Sequence, residues 1–363
     1  MPTDAAAVAR RRVFRLAFGT AACLCFSQAV AWQMSYISAV LAMTLLAMPL
    51  PRPSLRLSVI AMAAVIVPIH ASIWLLLPVL LHYKAAGLLL LLLVLFHAFH
   101  FGARGGAALV GTLVTISVAL TLAVGSVSVD AVLGVASGVS IGAVVGVLFV
   151  WMAHALLPDP PEPLDLPGPP ASSVVTPDPD EALHCALRSV AVVMPIIVWF
   201  MLSVASIGAV PVLIKVAAMG QESGVRGTRA AARSLIRSTL LGGLGAVIAW
   251  QLLSIWPSLL LYTLLIVLAG LLYGPRIFSG RGLHADAETW SYAFLTMIVI
   301  LAPAVLDAQS GGAAGVQFVS RLLMFAGATV YAVAAVYLFD AFWPGRTPAH
   351  DAARGQASGT AAP

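Results

Sequence analysis

Apolar residues run in blocks of roughly twenty along this chain, broken by brief clusters of Arg, Pro and Gly. A helix needs about 20 apolar residues to cross a bilayer's hydrocarbon core, with a range near 17–25. On that criterion six spans are predicted before the chain's midpoint, at residues 13–32, 34–50, 57–78, 81–101, 106–125 and 131–157. Six more follow a Pro-rich stretch, at 187–205, 206–220, 235–256, 258–275, 290–308 and 315–342. The second and eighth spans are short and follow their predecessors with almost no loop. The pattern predicts an all-α polytopic membrane protein of about 12 transmembrane helices.

The two sets of spans echo one another in order. Arg15 opens the first span and Arg188 the seventh, 173 residues apart. Gly102-Ala103-Arg104-Gly105 follows the fourth, and Ser279-Gly280-Arg281-Gly282 the tenth. Pro158 closes the sixth and Pro344 the twelfth. The order of these matches predicts two tandem six-helix repeats, which enter from the same side and pack as parallel repeats. The division expected is a first half at 1–157, a Pro-rich linker at 158–186, a second half at 187–344, and a tail at 345–363. Nine prolines between Pro158 and Pro179 make the linker extended and semi-stiff. The Ala/Gly-rich tail has the composition of a disordered segment.

Composition narrows the solvent. Of 363 residues 61% are hydrophobic and 9% charged, with a mean hydropathy of +1.01. Soluble domains carry about a quarter charged residues, and a folded chain of this size still has a large wetted surface. Lipid must therefore solvate most of it. Arg10-Arg11-Arg12 followed by an apolar stretch ending in Ala29-Val30-Ala31 has the outline of a cleavable signal peptide. A similar segment recurs mid-chain, where no signal could lie, so a retained first helix is the better reading. Cys23, Cys25 and Cys185 have no plausible pairing across an outer loop, and no structural disulfide is expected.

Charge placement then predicts sidedness. With a cytoplasmic N-terminus, sixteen of the nineteen Lys and Arg residues fall in cytoplasmic segments, leaving Lys84 outside and Lys215 and Arg321 within spans. Such a bias is the main determinant of orientation. It places both termini in the cytoplasm. Trp74 and Trp256 fall near outer ends, Trp151 and Trp343 near inner ones, where an amphipathic ring prefers to lie. The net charge of +5 thus reports anchoring to anionic lipid rather than to nucleic acid.

Few residues offer chemistry. Arg226, Arg229, Arg233 and Arg237 are spaced three, four and four, so a helix puts them on one face. That stripe either lies on anionic headgroups or forms a vestibule gathering anionic substrate. Lys215 either snorkels to the headgroups or faces the bundle as a counter-charge. Arg321 carries the same two readings, with Asp307 its natural partner for an ion pair or a transport role. Asp340 reads as an inner-end residue. His97 and His100 share a face and suit hydrogen bonding, proton handling or substrate contact better than metal, since no acidic or Cys partner is near. His70 reads as structural. Pro68, Pro195, Pro211 and Pro303 interrupt spans and should kink them or free carbonyls. There is no Walker A loop, nucleophile elbow or HExxH motif, and the loops are too short for a catalytic domain. Neither an enzyme nor a cofactor is expected.

With Arg12-Val13-Phe14-Arg15-Leu16-Ala17 leading the first helix, a tight first hairpin around Trp32 and Tyr36, and Ser238-Thr239-Leu240-Leu241-Gly242 entering a later helix from a basic segment, the chain resembles the fusaric acid resistance-like superfamily, which includes bacterial aromatic acid exporters. The resemblance implies proton-driven export of aromatic or other weakly acidic compounds, with a periplasmic membrane-fusion adaptor and an outer-membrane channel as partners. This chain departs in lacking the large cytoplasmic domains, and Pro51-Arg52-Pro53-Ser54-Leu55-Arg56 lacks the Gly-Thr pattern. The expectation is an efflux permease for small organic acids, with self-association left open. Two alternatives stand beside it: a non-transporting membrane scaffold recruiting an adaptor or enzyme, and a facilitator-superfamily transporter.

Overall fold

The computed structural model describes residues 2–50, 53–125, 128–159, 179–202, 228–280, 282–309 and 314–343. These form α1 (Pro2–Val30), α2 (Tyr36–Leu46), α3 (Leu55–Ala71), a π-helical turn (Ser72–Leu76) and α4 (Leu77–His82). They continue as α5 (Lys84–Ala103), α6 (Ala108–Gly125), α7 (Val129–Leu156), α8 (Pro179–Leu202), α9 (Thr228–Ile255) and α10 (Leu259–Ile277). A two-stranded turn of β1 (Phe278–Ser279) and β2 (Gly282–Leu283) then leads to α11 (Ala287–Gln309) and α12 (Ala314–Phe342).

Among the described residues nine helical segments are long and apolar enough to cross a membrane, with two shorter apolar helices besides. Leu260, Leu264, Leu268 and Leu272 stand exposed along α10, and Leu240, Leu244, Ile248 and Leu252 along α9. Continuous exposed apolar stripes at four-residue spacing exceed what a water-soluble monomer presents. The protein is an all-α multi-pass membrane protein.

Local chemistry explains several helix ends. Ser54, Ser128 and Ser258 each accept a hydrogen bond from the backbone N–H three residues on, which caps α3, α7 and α10. The hairpin between α1 and α2 turns on Ala31 and Met34, both left-handed at φ 55° and 59°. It uses up residues the hydropathy pattern assigned to a span, so α2 has 11 residues where 34–50 was expected. The wind from Ser72 to Leu76 sits before Pro78, which has no N–H to return to Trp74. Pro68, Pro195 and Pro303 lie inside α3, α8 and α11, which continue through them.

α8 begins at Pro179, eight residues earlier than the seventh expected span and inside what was read as linker. Proline at the first helical position, then Asp180 and Glu181 at the positive end of the helix dipole, favour that start. Hydropathy cannot register such a signal because the residues involved are polar. The expected span at 206–220 lies outside the described residues.

Packing follows one scheme twice. In the first set α3 packs on α6 and α7, α5 on α6, α6 on α7, and α1 on α7. In the second set α9 packs on α11 and α12, α10 on α11, α11 on α12, and α8 on α12. Across the sets α1 packs on α10, while α8 packs on α5. Close approach depends on glycine at two of these seams. A Cβ on Gly138 of α7 would lie 1.9 Å from the Gln33 carbonyl oxygen, and one on Gly270 of α10 would lie 2.6 Å from the Ala17 Cα. In a bilayer, where apolar burial between helices has little driving force, such backbone proximity supplies the dispersion contact that holds helices together.

Candidate functional site

At one end of the bundle α7 stops at Leu156 ahead of Pro158, and the chain folds back over α1. Asp159 is thereby set between two guanidinium groups. Its Oδ1 accepts from Arg15 Nη1 at 2.9 Å, and its Oδ2 from Arg12 Nε and Nη2 at 3.1 Å each. Arg15 is fully buried and donates further to the carbonyls of Leu157 (3.3 Å) and Leu50 (3.2 Å). Arg11 donates to the Pro158 carbonyl at 3.0 Å. Two buried cations sharing one carboxylate and two carbonyls satisfy the condition under which buried charge is tolerated, namely dense pairing. His154 lies beside this group, with Nδ1 2.8 Å from the Val150 carbonyl oxygen. The arrangement fastens the end of the first set to its beginning.

The second set repeats the fastening. Arg188 on α8 meets Asp340 on α12, Nη2 to Oδ2 at 3.0 Å, and His184 Nε2 lies 2.8 Å from the Trp343 carbonyl oxygen. Arg11 and Arg15 thus correspond to His184 and Arg188, each pair four residues apart on the set's first helix and holding the end of its last. Asp340, read from sequence as an inner-end residue only, is the counter-charge of Arg188.

A further ion pair lies at the opposite end. α11 rises from the β-turn, whose Gly280 sits beside Ala5 near the start of α1, and carries Asp307 to the far side. Arg321 of α12, 3% exposed, meets it there, Nη1 to Oδ2 at 2.6 Å. The Tyr36 phenol at the start of α2 is within electrostatic reach of both groups. Sequence had named Asp307 and Arg321 as partners, and the structure brings them together.

Among the described residues, the other sequence candidates are not gathered into one site. Arg233 and Arg237 stand exposed near the beginning of α9, four residues apart. Arg229 lies in that helix's first turn. Arg226 and Lys215 lie outside the described residues. His97 is exposed with Nδ1 2.8 Å from the Leu93 carbonyl oxygen, while His100 stacks on Phe96 at a centroid distance of 5.4 Å. Sequence reasoning missed Asp159, which it counted among the linker's acids. An acid directly after the proline that ends an apolar run, facing an Arg-led first helix, was the signal available.

The geometry is that of a helical membrane bundle in which, among the described residues, Asp159 holds Arg12 and Arg15, Asp340 holds Arg188 and Asp307 holds Arg321. Residues 12–153 match the family described as a protein of unknown function, DUF2955. The matched stretch runs from Arg12 in α1 to the last turn of α7, and so covers the first set of helices while stopping short of Asp159. No curated protein and no solved structure matches the chain. The matched family is described without an activity, so the likeness to the fusaric acid resistance-like superfamily rests on the sequence motifs alone.

Proposed function

We propose that the chain is an inner-membrane export permease for small aromatic or amphipathic organic acids, built as two tandem six-helix repeats. The observation that carries this reading is the reciprocal packing. Equivalent helices pair in the same way within each set, and each set's first helix crosses to the other set (α1 on α10, α8 on α5). Two like halves meeting at a shared seam are the arrangement in which rocking of one half against the other gives alternating access. The repeated Arg–Asp fastening supports the same division, because it makes each half a closed body able to move as a unit.

On this reading the Arg-rich ends and both termini are cytoplasmic, and the exposed Arg233 and Arg237 collect anionic substrate at the membrane surface. Lys215 and the two histidines of α5 remain path candidates. The activity is transport without covalent chemistry, and no nucleic acid is a partner. A periplasmic adaptor and an outer-membrane channel would complete the export route, as the superfamily resemblance implies.

The test is export of radiolabelled benzoate from cells expressing the protein, compared with Arg233→Ala and Lys215→Ala at matched membrane abundance. Loss of one collecting charge should slow export about two- to fivefold, which roughly 0.5–1 kcal/mol of lost attraction gives. Unchanged export in both variants would remove the proposed path. A strain in which the whole protein exports nothing would instead favour the scaffold.

A further inference from the structure

Four buried side chains in the α1–α2–α10–α11 quartet carry polar atoms with no hydrogen-bond partner among the described residues. They are Thr20 Oγ1, both amide atoms of Gln28, Ser35 Oγ and the Tyr262 hydroxyl, on residues at most 3% exposed. Thr20 is unusual for its setting. Thr44, Thr115, Thr121, Thr263, Thr296 and Thr329 all donate to the carbonyl four residues back, as a hydroxyl in an apolar helix ordinarily does. Gln28 is placed on the α10-facing stripe of α1, which runs Val13, Ala17, Thr20, Leu24, Gln28 at helical spacing.

Helix register orders these groups along the seam. The contacts Gly270 with Ala17 and Gly274 with Val13 show α10 running antiparallel to α1. Tyr262, two turns beyond Gly270, is therefore level with the turn of α1 between Cys25 and Gln28. Ser35 follows in the hairpin after α1, next to Tyr36, which is in electrostatic reach of Asp307 and Arg321. An unmet buried polar group costs about 1–3 kcal/mol. Tyr262, Gln28 and Ser35 toward one end of a helix seam, with Thr20 about two turns further along it, mark a place built to receive a hydrogen-bonding guest.

We propose that this seam binds the protonated, neutral form of a weak organic acid, with the Gln28 amide as its recognition element. The inference rests on the export reading and sharpens it. A carboxylic acid and a primary amide are complementary: the amide N–H donates to the acid's C=O, and the amide C=O accepts from the acid's O–H. The groups along this seam are otherwise hydroxyls that serve either role. A carboxylate would need a cation in place of those neutral groups, and the guanidinium of Arg321 already lies 2.6 Å from Asp307. The proton then crosses bound to the substrate and is released by ordinary acid dissociation in the water beyond. Each export event on this route carries a proton outward with the substrate, so it runs on the substrate's own gradient and not on the proton-driven exchange that the resemblance implies.

The test uses the full-length chain in nanodiscs with Cys23, Cys25 and Cys185 changed to Ala and Ser35→Cys as reporter. A small methanethiosulfonate reagent should modify Cys at 35 readily, while Leu264→Cys on the lipid-facing stripe stays unmodified. Benzamide, a neutral isostere of benzoic acid, should slow modification at least threefold, and the permanent anion benzenesulfonate should not. Adding Gln28→Leu should abolish the benzamide effect while leaving elution in detergent unchanged. Absence of modification at position 35 would show a dry seam and overturn the site. Protection by benzenesulfonate equal to or better than by benzamide would overturn the neutral form yet leave the export reading standing. Loss of benzoate export with benzamide protection intact would sink export and not the seam.

Discussion

Asp159 governs more of this molecule than any single residue that hydropathy singles out. It holds two cations in the body of the bundle, with Arg15 fully buried and Arg12 nearly so. Replacing it by Asn leaves both guanidinium groups without their carboxylate, a loss of about 3–5 kcal/mol for a buried pair broken on one side. Thermal unfolding in detergent should therefore shift down by several degrees in Asp159→Asn, and an unchanged melting curve would show that the clamp carries no stability. The Arg side of this interaction was legible, because Arg in a first helix stands out against apolar neighbours. The acid side was not. Asp159 stands at the edge of an acid-bearing Pro-rich stretch, and nothing in one-dimensional spacing connects it to a residue 144 positions away.

At the scale of elements, hydrophobic blocks locate helices well and their ends poorly. α3, α5 to α7 and α9 to α12 each overlie an expected span because twenty apolar residues leave few alternatives, while α4 carries the third span on past its expected end at residue 78. Failures occur where polar chemistry decides, at the Pro179 start of α8 and at the left-handed turn that shortens α2. Contact between elements rests on small residues. Gly134, Gly138, Gly142 and Gly146 recur every four residues on α7 and face the hairpin and α2. Gly138→Ala forces the Gln33 backbone away and should destabilise by about 1–3 kcal/mol, the usual cost of overpacking. Gly327→Ala, where no atom lies within 4 Å of an added Cβ, is the matched control and should be neutral or mildly stabilising. Equal melting temperatures for the two variants would refute the close-packed seam.

At the scale of the whole molecule, the sequence echoes between Arg15 and Arg188 pointed to a duplication. The packing explains why those positions recur, since each is the anchor that closes its own set of helices. The candidate site was far less legible. Arg and Lys are conspicuous in an apolar chain, whereas Gln28, Thr20 and Tyr262 look ordinary until their burial and missing partners are known. All of it depends on a bilayer enclosing the bundle, with the Arg-rich ends on the cytoplasmic side. Single cysteines in an otherwise Cys-free chain test that arrangement directly in intact cells, using a membrane-impermeant maleimide. Cys in place of Asp130, exposed at the start of α7, should react at once, while Cys in place of Arg233, exposed at the start of α9, should react only after the membrane is permeabilised. Immediate labelling at position 233 with protection at 130 would invert the molecule, and equal labelling at both would contradict the membrane-spanning account itself.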